Sequence, residues 1–330
     1  MRQLKVEAES WPIAGAFTIS RGSRTEARVV TATVTDGAHR GRGECVPYPR
    51  YGETVEGVAT AIESVADAIS KGADRSSLLT LLPAGAARNA LDCALWDLEA
   101  KSSGRRAHEL AGLPAPRAVT TAYTLSLGTP EAMEAAAQTA RHRPLLKVKL
   151  GGDGDAERIA AVKRGAPDAT LIVDANEAWS EANLAENLEA CRRAGVALIE
   201  QPLPAGQDGA LASISLSDRG GILFCADESV HTADDLDAIA PLYQAINIKL
   251  DKAGGLTAAL RLKQHALARG LKIMIGCMVG TSLAMAPALL LAADADYVDL
   301  DGPLLLARDR EPGLSFEGSV ILPFSGALWG

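Results

Sequence analysis

Apolar and polar positions change their spacing part-way along the chain, which divides it into two parts. In the first part, Val29–Val34 alternates as a strand does, and Thr54–Ile69 and Ala86–Lys101 repeat with a helical period. Between them, Pro47–Gly52 is too rich in proline and glycine for a regular element. A strand region followed by helices predicts a separate α+β domain over residues 1–115.

The second part alternates short apolar runs with helical segments. Eight runs predict parallel strands: Val119–Leu125, Leu145–Leu150, Thr170–Val173, Ala197–Ile199, Ile222–Cys225, Ala245–Ile248, Leu271–Ile275 and Tyr297–Leu300. Helices are predicted between them at Pro130–Arg141, Ala156–Gly165, Glu181–Ala194 and Leu256–Arg269, with C-caps at Gly165, Gly195 and Gly270. Eight such units favour a closed barrel over residues 116–302 rather than a doubly wound sheet. The tail, residues 303–330, is expected to return to the first domain.

Composition narrows the classes of function. The 330 residues carry a net charge of −8, which disfavours non-specific binding to nucleic acid or anionic membranes. The longest apolar stretch, Leu283–Ala293, is too short to span a bilayer and predicts a buried amphipathic helix. Met1–Lys5 lacks an apolar signal core, and the five cysteines are scattered, so a reduced, cytoplasmic protein is expected.

A polar residue stands at the end of nearly every predicted barrel strand. These residues are Lys149, Asp174, Glu200, Asp227, Lys249 and Asp299. The carboxyl ends of barrel strands surround one mouth, where barrel enzymes have their active sites, so these side chains are expected to converge.

Three consecutive acids at the mouth, Asp174, Glu200 and Asp227, predict a cation site. Any one of them could simply cap the helix that follows. Three together repel one another unless a cation lies among them, and oxygen ligands without histidine or cysteine suit Mg²⁺. We expect Asn176 and Glu228 to hold these ligands in position without binding the cation themselves.

Two lysines predict acid/base chemistry across that cation. Lys147 and Lys149 alternate on one strand, so they face the same side, and each is expected to lower the pKa of the other. Lys249 ends the sixth strand on the far side of the ring, although a plain surface lysine is the alternative. Two opposed lysines would remove a proton from one face of a carbon and return one to the other.

Other chemistries have no support in the sequence. None of the five histidines ends a predicted strand, and no Gly-x-Ser-x-Gly, Gly-x-Gly-x-x-Gly or Walker-type loop occurs. A histidine pair, a zinc site, a serine nucleophile and a nucleotide site are therefore not expected.

The strand-end motifs together resemble the muconate lactonizing subgroup of the enolase superfamily. They are Lys147-x-Lys149, Asp174-x-Asn176, Glu200-Gln201-Pro202, Asp227-Glu228-Ser229 and Asn247-Ile248-Lys249. The resemblance implies a modified TIM barrel, (β/α)₇β, with an N-terminal α+β capping domain completed by the C-terminal tail. It also implies one Mg²⁺ per subunit on Asp174, Glu200 and Asp227, with Lys149 and Lys249 as the acid/base pair that forms an enediolate.

Two further segments are similar to the dipeptide epimerases of that subgroup. Asp299-Leu300-Asp301-Gly302-Pro303 resembles the motif that binds the dipeptide ammonium, and Arg21–Arg24 with Pro47–Glu53 resembles the cap loops of Gram-negative members. The resemblance implies an L-Ala-D/L-Glu epimerase of murein peptide recycling, a possible homo-oligomer, whose substrate contacts are Arg24 (Arg21 as the fallback), Lys147, Asp299 and Asp301. Without it, the two aspartates could cap a turn and the arginines could be a solvated loop.

Several alternatives stay open at this stage. o-Succinylbenzoate synthase or N-acylamino acid racemase activity would use the same lysines and metal but a substrate without an ammonium group. Muconate cycloisomerase would bring a dianion to the two aspartates. A non-catalytic barrel that only binds a metal or ligand is the alternative of a different class.

Overall fold

The structure, a computed structural model, describes every residue from Met1 to Gly330. Its strands, numbered in chain order, are β1 (Gln3–Ile19), β2 (Gly22–Asp36), β3 (His39–Cys45), β4 (Val119–Thr120), β5 (Tyr123–Leu125), β6 (Leu145–Lys149), β7 (Thr170–Asp174), β8 (Val196–Glu200), β9 (Leu223–Ala226), β10 (Ala245–Ile248), β11 (Lys272–Gly276), β12 (Tyr297–Asp299), β13 (Phe316–Glu317) and β14 (Val320–Ile321).

The α-helices, numbered in the same way, are α1 (Val55–Ser64), α2 (Ala66–Ser70), α3 (Arg75–Leu81), α4 (Ala86–Ser103), α5 (Ala107–Leu110), α6 (Pro130–Ala140), α7 (Asp155–Gly165), α8 (Glu181–Ala194), α9 (Leu236–Ile239), α10 (Leu250–Ala253), α11 (Leu256–Ala268), α12 (Ser282–Ala292) and α13 (Gly302–Leu305). None of them has the length and apolar character that a membrane span requires.

The N-terminal part, called the cap below, is an antiparallel sheet of β1, β2 and β3 with helices on one face. Strand β3 runs so close to α4 that a Cβ atom at Gly41 or Gly43 would lie 2.1 Å from a backbone carbonyl oxygen of that helix. The sequence pattern predicted only the Val29–Val34 part of this sheet. It missed β1, much of which is half-exposed, and β3, whose glycines serve helix packing rather than strand propensity.

Strands β5 to β12 form one parallel sheet in chain order. The two edge strands are joined, because the Ala122 amide donates to the Val298 carbonyl at 2.8 Å and the Leu300 amide donates to Thr121 Oγ1 at 2.8 Å. Long helices follow the first, second, third, sixth and seventh strands, while only short helical turns follow the fourth and fifth. The predicted fold class, a (β/α)₇β barrel with an N-terminal α+β cap, is confirmed.

Four local predictions were wrong. The first predicted strand splits, because Val119–Thr120 pairs with β14 and only β5 joins the barrel. The helix predicted over Thr54–Ile69 is interrupted at Val65 between α1 and α2. Helix α12 is buried on nearly all sides rather than amphipathic. Gly165 is the last residue of α7 rather than its C-cap, and it has no left-handed conformation; a Cβ there would lie 2.5 Å from the Glu134 carbonyl oxygen, so the glycine allows α7 to pack closely against α6.

The C-terminal tail contacts the cap at several points. Arg310 binds Glu44 and Glu9 of the cap sheet, at 2.7 and 3.0 Å. The Trp329 indole donates to the Cys93 carbonyl of α4 at 3.0 Å. These contacts agree with a tail that completes the cap, while the domain limits at residues 115 and 302 stay a prediction.

Candidate active site

The carboxyl ends of the barrel strands bring most of the predicted residues into one buried cluster. The buried members from the predicted set are Lys147, Lys149, Asp174, Asn176, Glu200, Asp227, Glu228, Lys249, Asp299 and Asp301. Most of them line a cavity between the barrel and the cap.

Lys147 stands among three acids. Its ammonium nitrogen lies 2.7 Å from Glu200 Oε2, 2.7 Å from Asp299 Oδ2 and 3.2 Å from Asp174 Oδ2. Burial alone would lower the pKa of Lys147, but attraction to these carboxylates raises it well above its ordinary value. The sequence-based expectation of a lowered pKa was therefore wrong for Lys147, because acids rather than the neighbouring lysine dominate its surroundings.

Lys149 and Lys249 face each other across the mouth. Lys149 ends the second barrel strand and binds Asp174 Oδ2 at 2.6 Å, whereas Lys249 follows the sixth strand and binds Asp227 Oδ2 at 2.7 Å. Both are buried and both line the cavity. Burial lowers the pKa of Lys249, but the combined attraction of Asp227 and Glu200 raises it well above its ordinary value. A divalent cation bound to the acids would offset this attraction.

Sequence reasoning missed one buried residue of this cluster, Lys252, and named Asn247 only as part of the Asn247-Ile248-Lys249 motif. The Lys252 ammonium, fully buried in α10, binds the side chain and carbonyl of Asp227 and the carbonyls of Val230 and Asn247. The Asn247 amide donates to Glu200 Oε1 at 2.7 Å. Lys252 lies one helical turn after Lys249, which is the only sequence signal that could have pointed to it.

The acids are not arranged as a finished cage, since no group of three acidic, histidine or cysteine side chains is close enough to hold a metal ion. Lysine ammonium groups lie among these carboxylates. Even so, five of the seven buried side-chain atoms without a hydrogen bond are oxygens of this cluster, belonging to Asn176, Glu200, Glu228, Asn247 and Asp299. Glu200 Oε2 is one of them, because Lys147 approaches it outside hydrogen-bond geometry. Unpartnered oxygens without nitrogen or sulfur suit a hard cation such as Mg²⁺.

Asp299 and Asp301 bring two acidic side chains to the cavity. Both side chains line the cavity, and Asp301 makes no side-chain bond that would cap the turn at Gly302. Asp301 Oδ2 instead accepts from the Thr124 amide at 2.7 Å, and Asp299 Oδ1 has no partner. Burial, reinforced by the charge of Asp299, raises the pKa of Asp301 to about 7.

The two cap arginines differ in their surroundings. Arg21 is engaged by barrel residues, donating to Glu228 Oε1 at 2.7 Å and to the Asn176 carbonyl at 2.8 Å. Arg24 lines the cavity with its guanidinium 5.4 Å from the Tyr48 ring centroid and forms no ion pair. Arg24 is therefore the arginine available to an anionic ligand.

Comparison with known families finds two matching models. The N-terminal domain of mandelate racemase / muconate lactonizing enzyme matches residues 1–112. The model described as enolase C-terminal domain-like matches residues 131–303. Together they cover the cap and most of the barrel.

Individual relatives are similar over nearly the whole chain. The L-Ala-D/L-Glu epimerase of Escherichia coli (strain K12) is 48% identical over 318 residues, which cover 96% of this chain and 98% of that protein. The N-acetyl-D-glutamate racemase of Pseudoalteromonas sp is 44% identical over 304 residues, with coverage of 92% and 95%. A solved structure from Agrobacterium tumefaciens, an enolase family member with homology to dipeptide epimerases and with bound sodium and L-Ala-L-Glu, is 52% identical, covers 100% of both chains and has a TM-score of 0.97.

Proposed function

The chain belongs to the mandelate racemase / muconate lactonizing enzyme family of the enolase superfamily, and on that premise we propose that it is an L-Ala-D/L-Glu epimerase. Its similarity to the Escherichia coli epimerase and to the Agrobacterium structure with bound L-Ala-L-Glu supports this activity. An isomerase of this kind inverts the α-carbon of the glutamate residue. Its role in murein peptide recycling and its cytoplasmic location stay predictions.

We assign the cation site to Asp174, Glu200 and Asp227, with one Mg²⁺ per subunit. The oxygens of this cluster that lack a hydrogen bond, Glu200 Oε2 among them, support this assignment, and Asn247 donates to the other Glu200 oxygen. Asn176 and Glu228 support these ligands without binding the cation. The Asn176 side-chain nitrogen lies 3.5 Å from Glu228 Oε1, and the two residues lie beside Asp174 and Asp227. When bound, the cation would offset the negative charge that develops on the substrate carboxylate.

Lys149 and Lys249 are the proposed acid/base pair. One lysine, when neutral, accepts the α-proton from one face of the carbon, while the charged lysine on the other side donates a proton to the opposite face. The roles exchange with the configuration of the substrate. Lys147 stays charged because three carboxylates surround it, so it is suited to bind the substrate carboxylate rather than to exchange protons.

The observation that carries the dipeptide assignment is the arrangement of charges along the cavity. The cavity lining includes Asp299 and Asp301 from the eighth barrel strand and its end, Arg24 from the cap, and Lys149 and Lys249 from the second and sixth barrel strands. An L-Ala-Glu dipeptide has an ammonium group for the acids, a side-chain carboxylate for Arg24 and an α-carbon between the lysines. Its charges therefore complement the charged groups that line the cavity.

A second candidate is racemisation of an N-acylated glutamate. The 44% identical racemase from Pseudoalteromonas favours it. Two features of Asp299 and Asp301 also favour it. Lys147 already pairs with Asp299, and the pKa of Asp301 is raised to about 7, which allows a neutral carboxyl at that residue. o-Succinylbenzoate synthase and muconate cycloisomerase activity have no comparable support.

Deuterium exchange separates these candidates. The protein would be incubated with Mg²⁺ in D₂O and one substrate at a time: L-Ala-L-Glu, L-Ala-D-Glu, N-acetyl-L-glutamate, N-acetyl-D-glutamate or an N-succinyl amino acid. The gain in mass and the configuration of each substrate would be measured over time. We expect both dipeptides to gain one deuterium and interconvert with the highest kcat/KM. Faster turnover of the N-acetyl compounds would move the assignment to the racemase, and no exchange with any substrate would indicate a binding protein. Activity should also disappear in excess chelator and return with Mg²⁺.

A further inference from the structure

Four charged side chains connect the cap to the barrel at the edge of the cavity, and we call them the cap clamp: Arg21, Arg50, Glu177 and Glu228. Arg21, in the turn between β1 and β2, donates to Glu177 Oε2 at 3.2 Å as well as to Glu228. Arg50, in the loop after β3, donates to both oxygens of Glu177, each at 2.8 Å. One barrel carboxylate thus binds arginines from two separate cap loops.

Glu177 is itself held firmly by the barrel. Its Oε1 also accepts from the Ala205 amide at 2.9 Å, and its side chain is only 9% exposed. Its backbone has φ 69°, and the preceding Asn176 has φ 44°, in the left-handed region that a glutamate rarely adopts. Glycine would adopt this backbone without strain, so the presence of glutamate points to a use for its carboxylate.

The clamp lies directly beside the proposed substrate arginine. Arg24 follows Arg21 by three residues and pairs with Phe17 across the same β1–β2 hairpin. We propose that Glu177 is a positioning residue: by binding Arg21 and Arg50 it fixes the hairpin over the barrel mouth, so that Arg24 faces the side-chain carboxylate of the substrate. Glu177 does not line the cavity and does not contact the reacting atoms. The part that concerns Arg24 rests on the proposed dipeptide function, whereas the fixing of the hairpin does not.

Glu177→Gln tests the fixing of the hairpin, because it keeps the shape of the side chain and removes its charge. Glu99→Gln is the matched control, since Glu99 also pairs with an arginine, Arg75, at 2.6 Å but lies in α4 away from the cavity. Hydrogen–deuterium exchange would be followed by mass spectrometry on ligand-free protein. We expect faster exchange over residues 15–25 in Glu177→Gln, while Glu99→Gln should match the wild type there. Unchanged exchange in Glu177→Gln overturns the proposal.

Steady-state kinetics test whether Glu177 positions Arg24 for the side-chain carboxylate of the substrate. The wild type and both variants would be compared on L-Ala-L-Glu and on L-Ala-L-Gln, whose side chain carries no charge. In Glu177→Gln, KM for L-Ala-L-Glu should rise about tenfold, the scale of a weakened charge-assisted contact, with kcat and L-Ala-L-Gln turnover changed much less. An equal loss on both dipeptides would show that Glu177 acts on the whole site and overturn the role in side-chain recognition. A wild type inactive on both would instead refute the proposed function, and the exchange experiment would still decide whether the clamp fixes the hairpin.

Discussion

At the residue scale, the mouth of the barrel offers two ammonium groups in different positions relative to a bound substrate. Lys149 and Lys249 come from strands on opposite sides of the ring, and each is bound to a different acid of the cation site. A residue that approaches only one face of a carbon can remove a proton from only one enantiomer. The geometry therefore predicts that each lysine removes the α-proton from a different configuration of the substrate.

Replacing either lysine by alanine should abolish epimerisation while leaving half of the exchange reaction. Lys149→Ala and Lys249→Ala should each still exchange the α-proton of one of L-Ala-L-Glu and L-Ala-D-Glu, because the remaining lysine still reaches one face. Proton NMR in D₂O measures this directly. Lys272→Ala is the control, since that lysine is 53% exposed at the start of β11. Interconversion of the two dipeptides at near wild-type rate in either variant would contradict the two-lysine assignment.

Asp301 offers a cleaner test of ammonium binding than Asp299, which also holds Lys147. In Asp301→Asn the side-chain carbonyl can still accept from the Thr124 amide, so the local fold is kept while the charge is lost. A hydrogen bond to a charged group contributes about 1.5–3 kcal/mol, which corresponds to a loss of about tenfold to a hundredfold in kcat/KM for L-Ala-L-Glu. Turnover of N-acetylglutamate should change little. Equal losses on both substrates would mean that Asp301 does not recognise the ammonium.

At the element scale, the close approach of β3 to α4 depends on the absence of a side chain. A Cβ at Gly43 would lie 2.1 Å from the Ala90 carbonyl oxygen and 2.7 Å from the Ala94 amide nitrogen, both backbone atoms that cannot rotate away. Gly43→Ala should therefore cost about 2 kcal/mol or more of unfolding free energy. Gly209→Ala, where nothing lies within 4 Å, should be close to neutral. Denaturant titration of both variants checks this, and similar midpoints would refute the packing argument.

The elements also show how far sequence reasoning reaches. The rim residues Asp174, Glu200 and Lys249 could be found because each stands where an apolar run ends, and the barrel topology then brings such ends together. Strand β3 could not be found, because its glycines are required for packing against a helix that lies about fifty residues further along the chain. The pairing of Arg50 with Glu177 joins two loops that no local pattern relates. The sequence pattern therefore misses the features that depend on contacts between distant segments of the chain.

At the scale of the whole molecule, the cap and the barrel are joined by polar contacts as well as apolar packing. Arg88 of α4 donates to the carbonyls of Ala253 and Gly254. Asp251 of the barrel accepts from the Val46 amide and from Asn89 of the cap. Asp92 of α4 accepts from the amide and the hydroxyl of Thr257. Two of these groups are buried carboxyls without an ion pair, so the stability of the interface depends on pH.

Asp92 makes that dependence measurable. Burial raises the pKa of Asp92 from 3.8 to about 6. A carboxyl with a raised pKa in the folded state stabilises that state below the unfolded pKa, and this stabilisation is lost as the pH rises through the folded pKa. The window therefore lies between about pH 4 and pH 6, and a shift of this size corresponds to about 3 kcal/mol.

Asp92→Asn should remove this pH dependence and leave the interface intact. The asparagine oxygen can accept from the Thr257 amide, and its NH₂ group can donate to the Thr257 hydroxyl, which also accepts from the Trp96 indole. Other acids titrate in the same range, so the quantity to measure is the difference in Tm between variant and wild type at each pH. That difference should shift in favour of the variant by several degrees as the pH rises from 4 to 7, and then level off, because the wild type alone must ionise a buried carboxyl. A difference that stays constant across this range would show that Asp92 is already ionised in the folded protein at pH 4, and that its contacts with Thr257 outweigh its burial.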